Sequence, residues 1–325
     1  MLINLHSHLE GRVRPATAAE LAQRAGVPEP AGGWEQAIQL DGPADLTVYL
    51  EKVASTYPLF TDLDAVARIC AEAVEDAAAE GFDFLELRFG PATHTAPGRS
   101  IDDVLAAACA GLTDAVARTG MPAGLVPAAL RHHDPETNDA VARAAARHAG
   151  RGVVGFDLAG DELRFPHLSP YVTAFGIARA GGLGITCHAA EAAPGPAARE
   201  AVERFGATRI GHGAHIASDP ATLGWAADEG VVIEVCPTSN WYTGAIGAVV
   251  DHPAPVFAAA GIPLVLGDDN PMQTRSSLPA ERAVLTDQLG FTDIQLAALD
   301  RTSVAAMFAD DSVRAVLRSR LGTAS

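Results

Sequence analysis

Leu2-Ile3-Asn4-Leu5-His6-Ser7-His8 is a short apolar run that ends in two histidines two residues apart. Side chains at i and i+2 of a strand point to the same side. His6 and His8 therefore leave the end of such a strand together. Seven further apolar runs follow, at 82–89, 124–130, 153–159, 184–188, 209–213, 231–236 and 263–268. Most are brief, bounded by Gly or Pro, and without strict alternation, as parallel strands covered on both faces read.

Helical periodicity fills the gaps between them. In 63–80 one stripe carries Val66, Ile69, Cys70, Ala73, Val74 and Ala77, with Asp62 available as N-cap and Gly81 as a stop. Segments 101–119, 135–149, 170–180, 194–205, 219–229 and 256–260 read similarly. Eight strand–helix alternations predict an α/β fold, a (β/α)8 TIM barrel, with a doubly wound sheet as the alternative. The whole chain, 1–325, reads as one domain. About seventy residues separate the first two strands, far more than a barrel connection needs. Most of that stretch, about 16–60, reads as a helical lid over the barrel mouth, broken near Pro28–Gly33 and Gly42–Pro43. Helical pattern resumes at 279–289 and 312–321.

The polar clusters fall at the strand ends, the face where barrel chemistry takes place. Asp157-Leu158-Ala159-Gly160-Asp161-Glu162 ends the fourth strand, His188-Ala189-Ala190-Glu191 the fifth and Gly211-His212-Gly213 the sixth. Cys236-Pro237-Thr238-Ser239-Asn240 ends the seventh and Asp268-Asp269 the eighth. His6, His8, His188 and Asp268 together offer three imidazoles and a carboxylate, a set suited to one catalytic Zn²⁺ with room for water. Glu191 is placed to protonate a nitrogen, and His212 either to take a proton or to stabilise hydroxide.

Composition narrows the class. The formal charge of −17 and the 48% hydrophobic content describe a folded chain unsuited to general nucleic-acid binding or to anionic membrane surfaces. No apolar run approaches the roughly 18–20 residues of a bilayer span. With no secretory pattern at the start and four scattered cysteines, the expectation is a reduced, cytoplasmic protein. Nothing in the sequence specifies an oligomeric state. Of the 23 basic residues only Lys52 is a lysine. Many barrel hydrolases that open with His-x-His bridge two metals through a carboxylated lysine on the fourth strand. No lysine lies near 153–159, which leaves a single metal.

At this point the chain resembles the adenosine deaminase family over nearly its whole length. His6-Ser7-His8-Leu9-Glu10-Gly11 is similar to that family's HxHL[DE]G, and Asp157–Glu162 to its DLAGxE. His188–Glu191 is similar to HAGE, Arg209–Gly213 to R[IL]GHG, Cys236–Asn240 to CPxSN, and Asp268-Asp269 to the paired aspartates of the last strand. The resemblance implies one zinc per subunit on His6, His8, His188 and Asp268, and a small-molecule purine nucleoside as substrate. It implies that Gly160 offers its N–H to purine N3 and that Glu191 protonates N1. His212 and Asp269 would orient the zinc-activated hydroxide for attack on C6, with Asp269 also at N7. Substrate-facing residues are then His8, Glu10, Gly160 and Asp269. Ammonia leaves and a 6-oxopurine forms.

Several positions depart from the family pattern. Glu10 stands where Asp is frequent, Ala190 replaces the Gly of HAGE, and Asn270 precedes Pro271 where Pro usually follows directly. Tyr49-Leu50-Glu51-Lys52-Val53-Ala54 is similar to FLxKFD, with smaller side chains in the last two places. Those last two changes, Val53 and Ala54, point to a wider ribose side, and so to adenosine or a 5′-modified adenosine such as 6-amino-6-deoxyfutalosine, an intermediate of menaquinone synthesis. Adenine deaminase, a mononuclear hydrolase of another bond, and a non-catalytic barrel that binds a ligand are the alternatives. Glu86 and Arg88 read as an internal ion pair. His132 and His133 read as loop residues, His215 as packing, and His94, His148, His167 and His252 as surface residues. Trp34, Trp225 and Trp241 read as core.

Overall fold

A computed structural model of the chain describes residues 1–323. Eight parallel strands follow one another around a barrel in chain order. They are β1 (Ile3–His8), β2 (Phe84–Phe89), β3 (Ala123–Leu130), β4 (Gly155–Ala159), β5 (Gly184–Ala189), β6 (Arg209–His212), β7 (Val232–Val235) and β8 (Leu264–Leu266). Each coincides with one of the eight apolar runs, so the barrel reading holds and the doubly wound sheet does not.

The connection after β1 is helical, as expected. It carries α1 (Pro15–Ala25), α2 (Gly33–Ile38), α3 (Leu46–Ala54) and α4 (Leu63–Ala79). Asp45 and Asp62 cap α3 and α4 by accepting from Val48 N and Ala65 N, each worth about 1 kcal/mol. α5 (Ile101–Thr119), α6 (Pro135–Arg147), α7 (Val172–Ala180), α8 (Pro196–Phe205) and α9 (Pro220–Asp228) cover the outside of the barrel. After β7 come the short α10 (Pro237–Tyr242) and α11 (Ala254–Ala259). Beyond β8 lie α12 (Pro271–Thr274), α13 (Leu278–Asp287), α14 (Asp293–Ala306) and α15 (Asp311–Thr323).

The strands alternate more sharply than their sequences suggest. Outward residues such as Leu85, Leu87, Phe156, Leu158, Ile210 and Ile233 join the main core against the helices. Ile3 and Leu5 of β1 pack on Val304, Met307 and Leu317. The inward residues are polar and fully buried: Glu86, Arg88, Asp157, Arg209 and Glu234. Glu86 and Arg88 do not pair with each other. Arg88 bridges Asp157 at 3.1 Å and Glu234 at 2.9 Å, while Arg209 joins Glu234 at 2.7 Å and also binds Glu86. Charges this deep persist only when paired and hydrogen-bonded. The network forms a polar plug under the mouth. All four cysteines are free and buried, and no helix among the described residues is long and apolar enough to cross a membrane.

Candidate active site

Barrel closure builds the site. His8 N donates to Asp269 O at 2.7 Å and Asp269 N to His6 O at 2.9 Å. This bridge seats Asp269 opposite β1, between the two histidines. Asp269 Oδ1 lies 3.1 Å from His8 Nε2 and 3.5 Å from His6 Nε2, and His188 Nε2 is 3.2 Å from His8 Nε2. The four ligand atoms of His6, His8, His188 and Asp269 fall within 4.8 Å of one another.

Asp268 is not in this cluster. Asp269 has φ +58°, and at this bend Asp268 turns away from the cluster to pair with Arg12. Asp268, the carboxylate expected beside the three histidines, thus lies outside the cluster, and Asp269 stands in its place. Asn270 becomes the next side chain facing the cavity.

The histidines are oriented from behind. His6 Nδ1 lies 2.7 Å from Glu234 and His188 Nδ1 2.9 Å from Asp157. Burial alone would raise Glu234, but Arg88 and Arg209 hold it well below the ordinary carboxylate range. Carboxylates at Nδ1 leave Nε2 free toward the centre, the usual arrangement behind a metal. His6 Nε2 is buried, and among the described residues it has no hydrogen-bond partner. Donor atoms on one tetrahedral ion with bonds near 2.0–2.1 Å sit about 3.3 Å apart, close to the three separations of 3.1, 3.2 and 3.5 Å above. The donor set fits a single metal ion. Lys52, the one lysine, is held by the carbonyls of Gln36 and Ala37 on the lid.

Glu191 follows β5 and is buried. Burial, with the charges of Asp269 and Glu162, pushes its carboxyl well above the usual range and so favours its protonated form. It lies 3.7 Å from His212 Nε2. Burial, helped by His6, holds His212 well below the ordinary imidazole value, and so neutral. Gly160 has φ +110°, which L side chains rarely adopt, and its backbone reaches the cavity. Glu10 also lines the cavity and accepts from Gly90 N at 3.1 Å, with His94 Nε2 at 3.2 Å.

A cavity of about 300 Å³ runs from these groups to the lid. Leu50, Val53, Ala54, Tyr57 and Phe165 form much of its apolar wall, and among the described residues Arg164 is the only arginine or lysine along it.

Several functional neighbours escaped the sequence reading. Glu162, inside a quoted motif, accepts from the backbone N–H of Ala190, Glu191, Ala192 and Ala193 at 2.9–3.1 Å. Tyr49 donates to Asp269 Oδ2 at 2.9 Å, and Ser239 binds the same oxygen. His94, His148 and His252 are buried and not on the surface. Phe60 stacks on His94 at 3.9 Å between centroids. His132 lines the cavity, while His167 is exposed.

The adenosine deaminase family profile matches residues 2–324. The chain belongs to the adenosine deaminase family. It is a metal-dependent hydrolase that deaminates an adenosine-like purine nucleoside. Among relatives of this adenosine deaminase family member, the adenosine deaminase of Shewanella denitrificans is 34% identical over 324 residues, covering 97% of this chain and 96% of that one. The aminodeoxyfutalosine deaminase of Acidothermus cellulolyticus is 33% identical over 330 residues, covering 99% and 91%. A zinc-bound amidohydrolase structure from Burkholderia ambifaria superposes with a TM-score of 0.89 at 26% identity, covering 99% of this chain and 89% of that one.

Proposed function

We propose that the chain is a zinc-dependent deaminase of adenosine and of adenosines substituted at the 5′ position. The observation that carries this reading is the cavity itself. It joins the His6, His8, His188 and Asp269 cluster and Glu191 at one end to a wall of small and apolar lid residues at the other. Val53 and Ala54, the two shortened positions of the lid motif, lie on that wall. They support room beyond the ribose. With Arg164 as its only arginine or lysine among the described residues, the wall is a poor match for a phosphate, which calls for clustered cations.

Zinc held by His6, His8, His188 and Asp269 would supply Lewis-acid activation of water, lowering its pKa toward about 7. The chain's own residues do the rest. Glu191, protonated by its burial, gives its proton to N1 and makes C6 electrophilic. Gly160 presents its backbone N–H to N3. Glu10, held by Gly90 and His94, takes the ribose hydroxyls. Since Asp269 serves with the histidines, the N7 contact passes to the Asn270 carboxamide, which can donate to a ring nitrogen without first being protonated. Attack of water on C6 and loss of ammonia give the 6-oxopurine. Localisation in the cytoplasm is part of the same proposal, because nucleosides and a reduced cysteine set belong there.

The test is ammonia release from protein of measured zinc content, with kcat/KM compared for adenosine, 5′-substituted adenosines and adenine. The nucleosides should be turned over far better than the base. Efficient use of adenine alone would overturn the reading.

A further inference from the structure

His252 is buried between β7 and β8, and its hydrogen bonds run in one direction. Ala254 N lies 3.1 Å from His252 Nδ1. A backbone N–H can only donate, so Nδ1 must carry the lone pair. Burial pushes the His252 pKa down to about 3, which keeps the ring neutral with its proton on Nε2. His252 Nε2 lies 3.1 Å from the Asn240 side chain. It must donate there, so the atom facing it is the carboxamide oxygen. The amide nitrogen then faces His212 Nδ1, also at 3.1 Å. It donates in turn, and His212 Nδ1 accepts. With Nδ1 accepting, only Nε2 of His212 can carry a ring proton, and it points toward Glu191. Every polarity in this chain follows from one backbone amide, and all three side chains are buried.

We propose that His252, acting through Asn240, is a positioning residue that fixes His212 as its Nε2–H tautomer, so that His212 serves the reaction as a hydrogen-bond donor and not as a base. An N–H aimed into the site stabilises negative charge developing on an oxygen there. A lone pair at the same place would instead accept a proton. The choice between the two roles is thus made about two side chains away, outside the cavity. The kinetic consequence rests on the deaminase reading above, whereas the tautomer does not.

The test is ¹⁵N NMR of histidine-labelled, zinc-loaded protein without substrate, with His212 assigned from a His212→Gln spectrum. The wild type should show His212 protonated at Nε2 and bare at Nδ1. Asn240→Asp replaces the donor with an acceptor, and should move the proton to Nδ1. It should also lower kcat about 10²–10³-fold, the usual loss for one such donor, with KM changed less than about threefold. His252→Gln keeps a donor toward Asn240 and should retain the wild-type tautomer. His252→Leu should give a mixture of tautomers. A wild-type His212 protonated at Nδ1 overturns the proposal, and so does an Asn240→Asp protein whose tautomer is unchanged. Because this signal needs no substrate, its failure is distinguishable from a failure to release ammonia.

Discussion

Replacing Glu162 by Gln should disable the site without touching a metal-binding side chain. The Glu162 carboxylate is almost fully buried and collects four backbone N–H groups. Oε2 accepts from Glu191, Ala192 and Ala193, and Oε1 from Ala190, with Arg131 at 3.4 Å. A glutamine can keep one oxygen on the three-donor side. Its Nε2 then meets the Ala190 N–H and the Arg131 guanidinium, donor against donor. One charge-assisted bond is lost, the others weaken, and a buried N–H is left unpaired. The cost is about 3 kcal/mol. If the turn relaxes by about 1 Å, Glu191 is misplaced and kcat should fall roughly 10²-fold.

The same substitution has a signature in pH. A proton donor must hold its proton, so activity declines as pH rises through the Glu191 pKa. That pKa is raised by burial and then by the charges of Asp269 and Glu162. Removing the Glu162 charge lowers it, and the alkaline decline should move to lower pH. Steady-state ammonia release across pH, with zinc content and melting temperature measured alongside, checks the argument. A Glu162→Gln protein with wild-type kcat and an unmoved pH profile would refute it.

Other substitutions separate the remaining roles. Glu191→Gln should abolish turnover yet retain zinc by metal analysis, because it removes a proton and not a ligand. His8→Ala should lose both metal and activity. The aspartate pair discriminates between neighbouring residues. Asp269→Asn should weaken metal binding roughly 10²-fold or more in a chelator competition. Asp268→Asn should keep the metal and lower only the melting temperature, since Asp268 faces Arg12.

Much of the barrel is legible in the sequence because its signals are local. A strand covered on both faces needs a short apolar run, and the turns around it need Gly or Pro. What is not local is who faces whom across the barrel. Glu86 and Arg88 share a face of β2 and invite pairing, but their partners Arg209 and Glu234 lie over a hundred residues away. Only the circular strand order brings them together. His94 and His252 look like solitary polar residues for the same reason. Their burial is permitted by Glu10 and Asn240, contacts that no periodicity announces. The motif at the end of β8 shows a finer limit. Two adjacent aspartates are equal candidates by composition, and the choice falls to the closing bridge with β1.

That bridge belongs to a wider pattern in how the site is held. Among the described residues, four that are not glycine have positive φ. Three of them, Ala190 at 54°, His212 at 64° and Asp269 at 58°, sit at the ends of strands β5, β6 and β8, beside the reacting groups. Left-handed backbone costs such residues about 1–2 kcal/mol each. Each is met by its own restraint. Ala190 and the turn after it are tied to Glu162, His212 is gripped through Asn240, and Asp269 is stitched to β1 through two backbone hydrogen bonds. The bends lie where the chain leaves these strands and brings Glu191, the His212 ring and the Asp269 carboxylate to the cavity. The restraints are therefore part of the catalytic apparatus. Removing one should release the bend before it unfolds the barrel, so activity should be more sensitive than stability to every substitution at Glu162 and Asn240.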